Sequence, residues 1–120
     1  MLIALWIING LLALAFLGAG LMKLARPTEA LASSGMGWAA DFASSHVKLI
    51  GLAEVLGAIG LILPLLLGIA PILTPIAAIL LAVLMLGAVV VHLRRKESPA
   101  APIVLMILSI VSAILGFIAL

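Results

Sequence analysis

Hydrophobic positions along the chain fall into four long runs, residues 2–22, 47–63, 75–91 and 101–120, with no alternating stretch of strand period. Each run comes close to the about 20 apolar residues that a helix needs to cross a bilayer core of about 30 Å. Polar residues gather in the three connections between the runs, and their chemistry is that of helix ends. Pro64, Gly68 and Pro71 mark a short apolar link, while Thr74-Pro75 and Ser98-Pro99 read as pairs of an N-cap and a first-turn proline. The first connection, from Leu24 to His46, is longer and carries Arg26-Pro27-Thr28-Glu29, Ser33-Ser34-Gly35 and the stretch from Trp38 to Ser45. Its mixture of small, polar and aromatic residues predicts a short interfacial helix. The expected fold is all-α: one domain over residues 1–120, an antiparallel bundle of four transmembrane helices at about 2–22, 47–63, 75–92 and 100–120, with the second and third forming a tight hairpin. No internal repeat or low-complexity tract interrupts it.

Composition adds the environment. Of the 120 residues 68% are hydrophobic and 8% charged, with a mean hydropathy of +1.56, against about 45–50% apolar and about 25% charged in soluble domains. An integral membrane protein is expected, with almost nothing left over for a soluble domain. The absence of cysteine excludes disulfide exchange, thiolate nucleophiles and Cys-ligated metals, and no metal site is expected. No Lys or Arg precedes Lys23 and the first run has the length of a full span, so it reads as a first helix and not as a signal peptide. Lys23, Arg26 and Lys48 flank the first connection, and Arg94, Arg95 and Lys96 occupy the third. The positive-inside rule puts both connections in the cytoplasm. Both termini then lie outside it, in the inner membrane, with Trp6 near the outer interface and Trp38 near the inner. The net charge of +2 records this topology; no basic helix or aromatic platform offers itself to nucleic acid.

Projected onto helical faces, the polar and small residues align. Asn9, Ala13, Phe16, Gly20 and Lys23 share one face of the first helix, and Gly51, Glu54, Gly57, Ala58 and Leu61 one face of the second. Thr74, Ala78, Leu81, Met85, Ala88 and His92 share a face of the third, and Ser109, Ser112 and Gly116 a face of the fourth. Gly51, Gly57, Ala58, Gly60 and Ala88 are the candidate packing positions, since small residues let helices approach closely in lipid. Asn9 reads as an interhelical hydrogen bonder. Glu54, roughly 9 Å beyond Lys48 at about 1.5 Å per residue, stands inside an apolar run, where a lone carboxylate costs about 2.5–3.5 kcal/mol on insertion scales. Lys23 and His92 end their helices on the same side, so the three are candidate partners in one site.

The segments "GAGLMKL", "KLIGLAEVLGAIGLILP" and "GIAPILTPIAAILLAVLMLGAVVVHLRRKE" together resemble the DoxX-like family of small four-helix membrane proteins. The resemblance is most specific from Lys48 to Glu97, where an acidic residue in a glycine-rich second helix, a proline hairpin and a histidine before a basic loop follow the family order. By that pattern it picks out Lys23, Glu54, Gly57, Pro64, Pro75 and His92. It implies a membrane subunit, since some relatives resemble parts of sulfur-oxidising, quinone-reducing complexes and others accompany soluble redox-defence enzymes. Without cysteine, what transfers is quinone or lipid binding, or an assembly role.

Three functions compete. One is a redox-linked binding subunit, not an enzyme on its own, whose ligand-binding residues Lys23, Glu54 and His92 take a quinone or other lipid-like molecule in the cytoplasmic half of the bundle. Its partners would be the bilayer, that small molecule, and a soluble redox protein or further copies of itself. The second is an assembly protein in which the trio only stiffens the bundle. The third is a small proton-coupled multidrug transporter, disfavoured because such exporters place their carboxylate on the first helix among aromatic residues, whereas this chain has it on the second and contains no tyrosine.

Overall fold

The structure, a computed structural model, describes residues 2–33 and 36–119, with the backbone alone at positions 40 and 41. Four long helices make up almost all of it: α1 (Leu2–Ala25), α3 (Ser44–Leu67), α4 (Leu73–Arg94) and α5 (Ala100–Ala119). Between α1 and α3 come a short helix, α2 (Thr28–Ser33), and a 3₁₀ turn (Gly37–Asp41), which together form the predicted interfacial element. Ser34 and Gly35, assigned to that connection from sequence, lie outside the described residues, as does Leu120 at the end of the fourth predicted helix. Helix α1 packs on α3, α3 on α4, α4 on α5, and α5 returns to α1, which closes the bundle.

The faces are inverted relative to a soluble bundle. Large side chains such as Ile3, Leu14, Leu80 and Val83 are exposed, whereas Asn9, Lys23, Glu54, Thr74, Ser109 and Ser112 are buried beside Leu12, Phe16, Leu61 and Leu81. An apolar exterior over four helices of 20 to 24 residues belongs in lipid, where each backbone group must be satisfied within the protein. The protein is an integral membrane protein of four spanning helices.

One boundary differs from the sequence reading. The second long helix was expected to stop before Pro64, yet α3 runs through it to Leu67. Proline has no N–H to give the carbonyl four residues back, and here that carbonyl, on Gly60, accepts a hydrogen bond from the Thr74 hydroxyl of α4 at 3.0 Å. The next carbonyl, on Leu61, accepts from the Asn9 side-chain amide of α1 at 2.9 Å. Thr74 thus supplies the donor that Pro64 lacks, and the chain stays helical until Gly68 ends it at φ +67°, a left-handed conformation that glycine adopts at little cost. This use of Thr74 also corrects its expected role: α4 begins at Leu73 without a side-chain cap, because the hydroxyl is engaged across the hairpin. Ser98 does behave as a cap, its Oγ accepting from the Ala100 N–H at 3.4 Å. Asn9 meets its expectation as an interhelical bonder, since besides Leu61 it accepts a hydrogen bond from the Ser112 hydroxyl of α5.

Candidate functional site

Helices α1 and α3 cross where two glycines face each other. A Cβ built on Gly20 would lie 2.7 Å from the Gly51 carbonyl oxygen, and one on Gly51 would lie 2.8 Å from Cβ of Lys23. No larger residue fits at this crossing. Side chains on a helix lean toward its N-terminus, so the Lys23 stem runs back from the end of α1 over the space Gly51 leaves open. Its ammonium there meets Glu54, one turn further along α3, with Nζ donating to Oε1 at 2.5 Å. Both residues are nearly sealed from the surface, Lys23 at 6% and Glu54 at 2% exposure. The buried carboxylate and the cation therefore compensate each other inside the apolar bundle.

The first connection covers this pair. Leu31, Ala39 and Val47 form a small core beneath it, with Met36, Trp38 and Phe42 packed against them. Lys23 Nζ lies 5.5 Å from the centre of the Trp38 ring, within cation–π range, and Phe42 meets Trp38 edge to face at 5.8 Å. Beside them Lys48 of α3 donates to the Lys23 and Arg26 carbonyls, each at 2.5 Å. These are carbonyls that the end of α1 leaves without helical partners, and a cation suits the negative end of the helix dipole. A Cβ on Gly37 would lie 3.2 Å from a terminal guanidinium nitrogen of Arg95, so the 3₁₀ turn abuts the connection between α4 and α5.

Between the pair and α4 is a cavity of about 400 Å³. Lys23, Glu54 and His92 all line it, and the rest of its wall is largely apolar: Met36, Trp38 and Phe42 from the first connection, Ile50 from α3, Met85 and Ala88 from α4, Pro102 and Leu105 from α5. Gly87 on α4 and Ala101 on α5 line it as well and are exposed, so it opens between those two helices. His92 donates through Nδ1 to the carbonyl of Ala88 at 2.7 Å. A carbonyl only accepts, so this contact puts a proton on Nδ1, and in the uncharged form of the ring Nε2 is then the acceptor.

The small residues named from sequence lie at helix contacts. Gly51 is filled by Lys23, Gly57 by Leu81 and Gly60 by Ala77 of α4, and Ala58 is buried in the central core, so these four are packing positions. Ala88 packs against that core as well and also lines the cavity. Trp38, Met36 and Phe42 were missed as part of the site, and so was Lys48 as the cap of α1. The sequence signal for the aromatic pair was the spacing of four between Trp38 and Phe42, which by itself reads as an interfacial anchor.

The DoxX-like family model matches residues 7–114, from the first turns of α1 to the last turns of α5, with Lys23, Glu54 and His92 inside the match. No curated protein and no solved structure matches the chain. With all four spanning helices covered by that one family model, the chain belongs to the DoxX-like family.

Proposed function

We propose that this protein is a membrane subunit that binds an uncharged, lipid-like molecule in the cavity beside Lys23, Glu54 and His92, a quinone in one of its oxidation states being the class that the family resemblance implies. One observation carries the reading: a cavity of about 400 Å³, lined mostly by apolar and aromatic side chains, has its polar groups confined to an ion pair and a histidine. That is the usual make-up of a small-molecule site, in which a few polar groups fix orientation within an apolar wall. Because Lys23 and Glu54 already neutralise each other, a charged ligand would bring an uncompensated charge into lipid, and an uncharged one brings none. The gap at Gly87 and Ala101 gives an apolar tail a way out to the acyl chains. By the positive-inside rule this end of the bundle faces the cytoplasm and both termini lie outside. With no cysteine in the chain, electrons for such a ligand would come from a soluble partner reaching the site from that side.

Saturable binding is the test. A decyl-substituted quinone and its hydroquinone are titrated into protein in nanodiscs, with Trp38 fluorescence as the signal in a Trp6→Phe background. Saturation by one of the two, weakened by folded Lys23→Met, Glu54→Gln and His92→Ala variants, supports the reading. Failure of both to saturate transfers the assignment to an assembly protein, a role consistent with the hydrogen bonds that tie Asn9 and Thr74 to the neighbouring helices.

A further inference from the structure

The polar groups of the cavity are not interchangeable, and their hydrogen-bond character constrains the ligand more closely than volume or apolarity does. His92 has its Nδ1–H held by the Ala88 carbonyl at 2.7 Å, so in its uncharged form the ring has only Nε2 left for a ligand, and that nitrogen accepts. Lys23 gives one N–H to Glu54 and, as an ammonium with three donors, keeps others. Outside the ion pair itself, the cavity thus sets an acceptor on His92 against the remaining donors of Lys23. A carbonyl oxygen of a ligand satisfies Lys23 and leaves Nε2 of His92 facing another acceptor or nothing. A hydroxyl satisfies both, because its O–H donates while its lone pairs accept. Trp38 and Phe42, packed edge to face at 5.8 Å, offer aromatic surface against which a flat ring packs.

We infer that the cavity selects an uncharged ring bearing a hydroxyl group, with the hydroxyl donating to Nε2 of His92 and accepting from Lys23, over the same ring carrying a carbonyl or an ether oxygen. This rests on the binding reading above and adds to it the form recognised: of a quinone and hydroquinone couple, the reduced member. The preference originates in the backbone. The Ala88 carbonyl fixes the tautomer of His92, and the tautomer decides which partner the ligand must bring.

The test is a comparison of three ligands on the same protein, in nanodiscs under anaerobic conditions: decyl-hydroquinone, the corresponding quinone, and the hydroquinone dimethyl ether, which keeps the ring and tail but has no donor. Hydroquinone should bind about tenfold more tightly than either of the others, the loss expected for one buried hydrogen bond left unmade. In His92→Leu the three affinities should converge to within about twofold. Equal binding of hydroquinone and its dimethyl ether by the unaltered protein overturns the inference while leaving the binding reading intact, as does a preference that persists in His92→Leu. If none of the three saturates, the binding reading itself fails and the inference with it. Should His92→Leu not fold, the comparison with the ether on the unaltered protein decides alone.

Discussion

The ion pair between Lys23 and Glu54 permits the most exacting prediction, because its two halves should not be equally expensive to remove. Taking one partner from a buried pair costs about 3–5 kcal/mol, since the other charge is stranded. Lys23→Met does this to Glu54, which is 2% exposed, and should lower stability by about that full amount. Glu54→Gln strands the ammonium, but the amide oxygen of glutamine keeps an acceptor where Oε1 now stands 2.5 Å from Nζ. The Trp38 ring at 5.5 Å also remains. A hydrogen bond to a charged group is worth about 1.5–3 kcal/mol, so the loss should shrink to about 2 kcal/mol. The double variant leaves no buried charge and should lie well above the sum of the two, by about 1–3 kcal/mol of coupling. Reversible unfolding in mixed micelles, followed by helical circular dichroism against increasing SDS mole fraction, measures all four proteins. Additivity within about 0.5 kcal/mol, or a larger loss for Glu54→Gln than for Lys23→Met, would refute the pairing as described.

The crossing of α1 and α3 should be intolerant of a single methyl group: Gly51→Ala meets Cβ of Lys23 at 2.8 Å and should cost about 1–3 kcal/mol, whereas Gly18→Ala, with nothing within 4 Å, should be neutral or gain up to about 1 kcal/mol, both read by the same unfolding assay. Thr74→Val removes the donor to the Gly60 carbonyl and should cost about 1–3 kcal/mol; in a Pro64→Ala background, where residue 64 regains its N–H, the cost of Thr74→Val should fall by at least half, and an unchanged cost would show that the hydroxyl does not serve the proline break. Helix α4 ends in a Schellman motif, with Glu97 N–H bonded to the His92 carbonyl at 2.9 Å and Lys96 N–H to the Leu93 carbonyl at 3.1 Å. The left-handed position of that motif is Lys96, at φ +57°, so Lys96→Gly should raise stability by about 1 kcal/mol, and a lower thermal midpoint would contradict this. Single cysteines placed by Leu2→Cys and Ala119→Cys should be labelled from outside intact cells and one placed by Glu97→Cys should not; the reverse pattern would overturn the proposed orientation.

What the sequence determined by itself is what depends on local composition. The four spans were legible because each comes close in apolar length to the thickness of a bilayer core, a property that needs no knowledge of neighbours. The inward faces were legible because polar residues avoid lipid and recur with the helical period, which placed Asn9, Lys23, Glu54, Thr74 and Ser112 correctly among the buried residues. Tertiary structure decided everything that depends on which helix lies beside which. Pro64 stops a helix if its freed carbonyl, on Gly60, is left alone, and fails to stop one here because Thr74, from another helix, supplies the donor. Gly51 reads from sequence as a packing position without its partner, and the fold shows that the partner is the Lys23 stem, while the cavity lies toward α4, beside Ala88. Trp38 belongs to the site only because the first connection folds back over the end of α1, where its ring reaches the ammonium of Lys23. The contact of His92 was likewise out of reach of the sequence: either ring nitrogen of a histidine at a helix end can be engaged, and here it is Nδ1 that meets the Ala88 carbonyl one turn earlier.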